Sequence, residues 1–530
     1  MTKADPAKID SAIGAGGDVY HKIAWGVVAS LGDRVVGILG SLLLIPILMQ
    51  SLSAAHVGLW FLLSQPLTLL AVLDLGLTET VTRQFALSRG RIGQPDQRQI
   101  ATRQLADQLA TSRVLYHAVS AIVVVVTLVG VGAMIYVAED LRMEGATALV
   151  IASIVAANHF IRVQTQLYSA MLIAGGSIRT VQTVSMVVQI PSLAAKVVSL
   201  WFGYGLVTLL VIDLVAAAMI YRLDRRYASG MISDRGRFDW RIVHRWRPLA
   251  LRSWLTSLGG FAILRTDQYF IVLCLAAAAL PNYQAGLLVL SNLYMLAVLP
   301  IRCASPHLSH CWSAGRIEVW RRDWSRLMDL AMATMITGSL TVLLNAPDLF
   351  ELWLGPGRFV GYPVLMIFAV TVFLEAHHVV FAYGVRSTEV EPFAKPALIA
   401  GGLNLSLTAL MVFPFGLPGV AAATMISQLA TNNWYVVAVG KRRLRIGSAE
   451  YLTKHVVPYA MLALVTIGSL VTLTNLSPPT NPSWRLASSV LCGGVLWCLF
   501  LAARWGDRVF SHTSLQRLSR KHPAGGIDVQ

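Results

Sequence analysis

The chain has 530 residues, 55% of them hydrophobic and only 13% charged, with 43 Lys and Arg against 27 Asp and Glu for a net charge of +16. Water-soluble domains carry roughly 25% charged residues, so a soluble globular enzyme is excluded and the positive charge does not indicate nucleic acid. Stretches such as 121–137 are apolar on every side, which argues against the alternating pattern of a membrane β-barrel and for an all-α polytopic membrane protein.

The first 20 residues are polar and lack an apolar stretch. No cleavable signal peptide is expected there, and the first span serves as its own insertion signal. Window hydropathy places about fourteen transmembrane helices. They fall near 24–50, 57–77, 114–137, 147–171, 181–203 and 205–221, then 250–276, 282–305, 327–346, 362–384, 396–415, 418–440, 456–475 and 486–503. With the N-terminus inside, 34 of the 43 basic residues fall in inner segments, and the outer ones hold only Arg142, Arg358 and Arg485. Lys and Arg in short loops mark the cytoplasmic side, so both termini are expected to be cytoplasmic.

The spans group into a cytoplasmic segment 1–23, a six-helix bundle 24–221 and a basic linker 222–249, then a second six-helix bundle 250–440, two additional helices 441–503 and a tail 504–530. A weak repeat supports the halves: SAAHVGLWFLLS (53–64) follows the first span and LPNYQAGLLVLS (280–291) follows the seventh boundary. Paired halves with a site between them are a common transporter plan. The basic segments 78–113 and 222–249 read as solvated topology loops or as surfaces lying on anionic lipid. The outer connections are too short for a folded catalytic domain.

Ionisable groups inside a span are costly and by default face a cavity or a partner. Six basic residues remain within spans: Arg34, Arg162, Lys196, Arg252, Arg265 and Arg302. Asp33, Asp74, Asp213, Asp267 and Glu375 accompany them. Arginine presents a charged planar fork that matches phosphate oxygens, so an anionic headgroup is the chemistry to expect. Arg265 lies too deep to snorkel and is read as a cavity residue; Arg34 either faces the cavity or snorkels. Arg162 shares a helix face with His159, Gln166 and Ser169. Asn292 and Tyr294 offer an amide and an aromatic face for a sugar, as do Asn432 to Tyr435. Glu375 and His378, three apart on one face, and the carboxylates Asp267 and Asp74 are candidates for coupling. No Walker A loop, nucleophile elbow, HExxH or cysteine-pair metal motif is present, so neither cofactor nor metal is expected. None of the five cysteines lies in an outer loop, so no disulfide framework is implied.

The stretch 33–90 begins DRVVGILGSLLLIPILMQ, contains Gly-Leu-Trp, and reaches LDLGL followed by Thr-Arg. Together with WLTSLGGFAILRTDQYFIV and YQAGLLVLS it resembles the polysaccharide-transporter branch of the MOP (MATE-like) exporter superfamily, the Wzx-type O-antigen and exopolysaccharide flippases. The resemblance implies two six-helix bundles around a central cationic cavity. It implies translocation of an undecaprenyl-pyrophosphate-linked oligosaccharide across the bacterial inner membrane by alternating access, with Arg34 and Arg265 holding the pyrophosphate. Membrane lipids and other polysaccharide-assembly proteins would be its partners, and nucleic acid would not. Two alternatives stand beside it: a cation-coupled multidrug exporter of the same superfamily, and a membrane glycosyltransferase or polymerase.

Overall fold

A computed structural model describes residues 32, 35–64, 74–92, 96, 98–137, 141, 143–230, 236–388, 392–476 and 482–509. Among the described residues every regular element is a helix, and ten helices are long and apolar enough to cross a membrane. The chain is an all-α, multi-pass integral membrane protein. Among the described residues each expected span overlaps a helix; residues 24–31, 33–34 and 65–73 of the first two lie outside the described residues, and the seventh falls on helices outside those ten. The run Ala394–Arg443 holds the eleventh and twelfth together, and the shorter Val35–Ser51 and Ala54–Leu63 represent the first two.

Two compact units form: Met1–Gly286 with Pro392–Asn432, and Leu287–Glu391 with Asn433–Gln530. In the first, α1 (Val35–Ser51) and α2 (Ala54–Leu63) precede α3 (Leu77–Ile92) and the 40-residue α4 (Arg98–Val137). Then come α5 (Gly145–Ala174), α6 (Ile178–Trp201), α7 (Leu206–Ser229), α8 (Trp240–Leu264) and α9 (Asp267–Cys274). At 1.5 Å per residue α4 is about 60 Å long, twice what a bilayer core needs. Its basic first third therefore runs on past the membrane.

That extension corrects one expectation. Segments 78–113 and 222–249 are helical over most of their described length and share an apolar core. Val81 and Phe85 of α3, Leu105 and Leu109 of α4, and Ile242 and Trp246 of α8 are buried in one cluster. Each pair is spaced i, i+4, which puts both side chains on one helix face. The connection into α8 is fastened to α4: Asp107 Oδ1 accepts from Arg237 N at 2.7 Å and Thr111 Oγ1 from Asp239 N at 3.1 Å. A β-carbon at Gly236 would stand 2.0 Å from the Ala106 carbonyl oxygen.

Gly58, in the Gly-Leu-Trp stretch, also marks a close approach. A β-carbon there would stand 2.0 Å from the backbone oxygen of Ala277, in the short 3₁₀ turn Ala277–Ala279 after α9. Backbone cannot yield as a flexible side chain can. Gly58→Ala is expected to lower stability by about 1–3 kcal/mol through overpacking. The readout is the melting temperature in detergent, and an unchanged value would show that α2 does not rest on this turn.

The second unit contains α10 (Leu280–Ser313) from Leu287 onward, α11 (Ile317–Leu344), α12 (Ala346–Leu354) and α13 (Tyr362–Arg386). The helix α14 (Ala394–Gln428) belongs to the first unit. The second resumes with α15 (Trp434–Arg443), α16 (Val457–Leu476) and α17 (Pro482–Val509). The buried indoles of Trp320 and Trp324 stack at 6.0 Å in its core. Asp329 of α11 ties on the two last helices. Its carboxylate accepts from Tyr459 OH at 2.9 Å and from Arg504 at 2.9 and 3.1 Å. A fork of this kind fixes orientation as well as adding attraction.

Candidate functional site

The seventh expected span is not one helix. It breaks at Arg265-Thr266, where α8 ends and α9 begins. Arg265 has φ −134° and ψ −8°, outside helical geometry. Neither proline nor glycine stands at the break, so local sequence does not cause it. The freed backbone groups are satisfied from α14. Asn404 Nδ2 donates to the carbonyls of Ala262 (2.9 Å) and Ile263 (3.3 Å), and Thr266 Oγ1 also donates to Ala262 O at 2.9 Å. In a bilayer irregular backbone survives only where protein groups or a water-filled cavity meet its polar atoms.

Small residues allow Asn404 to reach so far. A β-carbon on Gly259 would stand 2.9 Å from the Ala397 carbonyl, and one on Gly401 would stand 2.9 Å from Ala262 Cβ. Glycine and alanine thus let α8 and α14 approach closely, as in other membrane helix pairs.

Asp267 opens α9 and is 8% exposed. Tyr283 OH donates to its Oδ2 at 2.8 Å. Thr424 Oγ1 lies 3.1 and 3.2 Å from its two oxygens and 3.1 Å from Asn404 Oδ1. Every group holding Asp267 is neutral. An ionised carboxylate buried among neutral groups is costly, which sets Asp267 apart from the ion-paired carboxylates of the chain. Three further polar residues around the break, Gln268, Thr408 and Gln428, are buried with unsatisfied atoms among the described residues.

Arg265 is partly exposed, and Tyr269, one turn on, is its electrostatic neighbour. Asp267, two positions away, turns to Tyr283 and Thr424 instead. The cation and the carboxylate are therefore adjacent in the chain but separately engaged.

The other sequence candidates fall in several places. Arg34 lies outside the described residues. Asp74 caps the start of α3, accepting from Gly76 N at 2.8 Å and Thr78 N at 3.3 Å, which gives its carboxylate a local structural use. The polar stripe on α5 divides. Gln166 accepts from Thr78 Oγ1 and Ser169 donates to Asp224, both interhelical bonds, whereas His159 and Arg162 line a small cavity. In the second unit, Tyr294 feels both Arg302 and Glu375, and Asn292 Nδ2 is buried with no hydrogen bond among the described residues. On α13, His377, next to the His378 expected from sequence, has its Nε2 2.5 Å from Tyr451 OH. Among the described residues no group of three or more His, Cys, Asp or Glu stands together to hold a metal.

Sequence reasoning missed Asn404, Thr424 and Tyr283. The available signal was a lone amide in the apolar run GGLNLSLTALMV, one turn after a Gly-Gly pair.

No protein-family model matches the chain, and no curated protein matches it in sequence. Solved structures do match. The lipid II flippase MurJ in an inward closed conformation superimposes with a TM-score of 0.68 at 12% identity, over 91% of this chain and 99% of that one. An inward-facing multidrug resistance MATE transporter of the MOP superfamily gives 0.59 at 14% identity, over 79% and 98%. A MOP superfamily transporter from Pyrococcus furiosus, described as having a binding pocket of reverse polarity, gives 0.55 at 14% identity, over 80% and 95%. Identities this low speak for the fold alone: the chain folds as MurJ and the MATE transporters do.

Proposed function

We propose that this protein translocates a lipid-linked oligosaccharide, carried on a polyprenyl pyrophosphate, across the cytoplasmic membrane by alternating access, in the assembly of a surface polysaccharide. The observation that carries the reading is Arg265 at a break in a membrane helix. A fixed positive charge on irregular backbone near mid-span is where transporters of repeat architecture bind substrate. Arginine's fork fits the oxygens of a pyrophosphate. The fold is shared by a lipid II flippase and by multidrug exporters, so the choice between them rests on charge. Cationic drugs call for an acidic site, whereas the partly exposed charge at the helix break is the cation Arg265.

In this reading Asp267 is the coupling group. Binding or release of an ion at Asp267, two residues from Arg265, biases the geometry of the break and hence the position of the arginine.

Deletion of the gene from its native host is the test. The expected result is loss of the surface polysaccharide with accumulation of its lipid-linked units. An unaltered polysaccharide without such accumulation would exclude the proposed substrate. Altered resistance to cationic dyes on expression would favour the exporter, and a glycan product formed by the purified protein would favour the transferase.

A further inference from the structure

The first unit contains a second charged site, away from the helix break. A largely enclosed cavity lies between α5 and α7 and is closed by the end of α2. Ser64, Asn158, His159, Arg162, Leu210 and Asp213 line it, and it has room for about one water-sized particle.

The charges of this cavity do not balance. Lys196 Nζ pairs with Asp213 Oδ1 at 2.6 Å, so that carboxylate is already matched by one cation. Arg162 is left with a single hydrogen bond, from Nε to the neutral Asn158 Oδ1 at 2.6 Å. Among the described residues, two cations share one anion, since Asp213 is also the electrostatic neighbour of the half-buried Arg162; the excess of one positive charge favours an anion over a water there.

The histidine supplies the second observation. His159 is 4% exposed, and its Nδ1 lies 2.9 Å from Thr127 Oγ1. Its Nε2 is buried with no hydrogen-bond partner among the described residues. When the Thr127 hydroxyl donates to Nδ1, the ring proton resides on Nε2. The cavity is then lined by an imidazole donor and by a guanidinium whose terminal N–H groups have no protein acceptor among the described residues.

From this geometry we infer that the cavity is a binding site for one monatomic anion, a halide, with chloride the natural occupant. Arg162 neutralises it and His159 Nε2 donates to it. Phosphate, carboxylate and sugar headgroups are too large for a space that admits one water-sized particle. Arg162 therefore serves a small inorganic ion and not the oligosaccharide headgroup expected from its position in sequence. This inference stands independently of the proposed substrate.

The test uses the purified full-length protein in detergent at constant ionic strength, with chloride exchanged for gluconate, which is too large for the cavity. Chloride and bromide are expected to raise the melting temperature in a saturable way, as any ligand specific to the folded state does. Arg162→Gln should abolish the halide-dependent shift, Arg162→Lys should retain part of it, and His159→Leu should reduce it. Because Arg162→Gln also removes the bond to Asn158, the unaltered protein is crystallised in bromide as well. An anomalous peak beside Arg162 is expected. Absence of a halide-dependent shift in the unaltered protein, an equal shift in Arg162→Gln, or a cavity holding only water would each overturn the proposal.

Discussion

Replacing Arg265 with alanine is expected to abolish translocation while the protein still reaches the membrane and melts cooperatively. The guanidinium sits on a non-helical residue at the α8–α9 break, partly exposed, and Asn404 meets the freed carbonyls of the break. Removing that side chain should therefore spare the fold. A bidentate charge-assisted pair with a pyrophosphate would be lost outright, and at about 1.5–3 kcal/mol for each hydrogen bond to a charged group the loss amounts to roughly a hundredfold or more in transport. Arg265→Lys should recover only part of it, because an ammonium restores charge without the planar fork. Flipping of a lipid-linked oligosaccharide in proteoliposomes, with surface polysaccharide in cells beside it, is the measurement. Normal transport by Arg265→Ala would remove this residue from the site.

Asp267→Asn tests the other half of the break. The substitution keeps the size of the side chain and removes the ability to take up a proton or hold a cation. Transport in proteoliposomes is expected to lose its response to an imposed proton or sodium gradient, a reduction of roughly tenfold at saturating gradient, the scale of ordinary coupling energies. The two variants separate the roles. If a cation binds at Asp267, it should still raise the melting temperature of Arg265→Ala and fail to do so in Asp267→Asn. A gradient response in Asp267→Asn equal to that of the unaltered protein would dismiss Asp267 as the coupling group.

These two residues were legible in sequence for a simple reason. An ionisable side chain in an apolar run announces itself, because burying it in lipid is unfavourable without a purpose. What surrounds them was not legible. Asn404, Tyr283 and Thr424 are neutral and ordinary in composition, and their importance comes from meeting Asp267 and the freed carbonyls of α8 across the unit. The basic segments misled for the opposite reason. Their charges marked topology so strongly that the i, i+4 pairs Val81 with Phe85, Leu105 with Leu109 and Ile242 with Trp246 went unused as a helix signal. At α13, the contact of His377 with Tyr451, beside Glu375 and His378, depends on a residue 74 positions away and has no local signal.

By itself the sequence determined that this chain crosses a membrane many times and which charges lie inside its apolar runs. Each of these follows from local transfer free energies, which accumulate residue by residue along a helix. Only the tertiary structure decided that the seventh expected span breaks at Arg265, that Asp267 is held by neutral donors, and that Arg162 and His159 line one small cavity. A helix break without proline or glycine exists only because another helix comes close enough to satisfy its backbone. That approach depends on Gly259 and Gly401 meeting across a distance in sequence that no local pattern records.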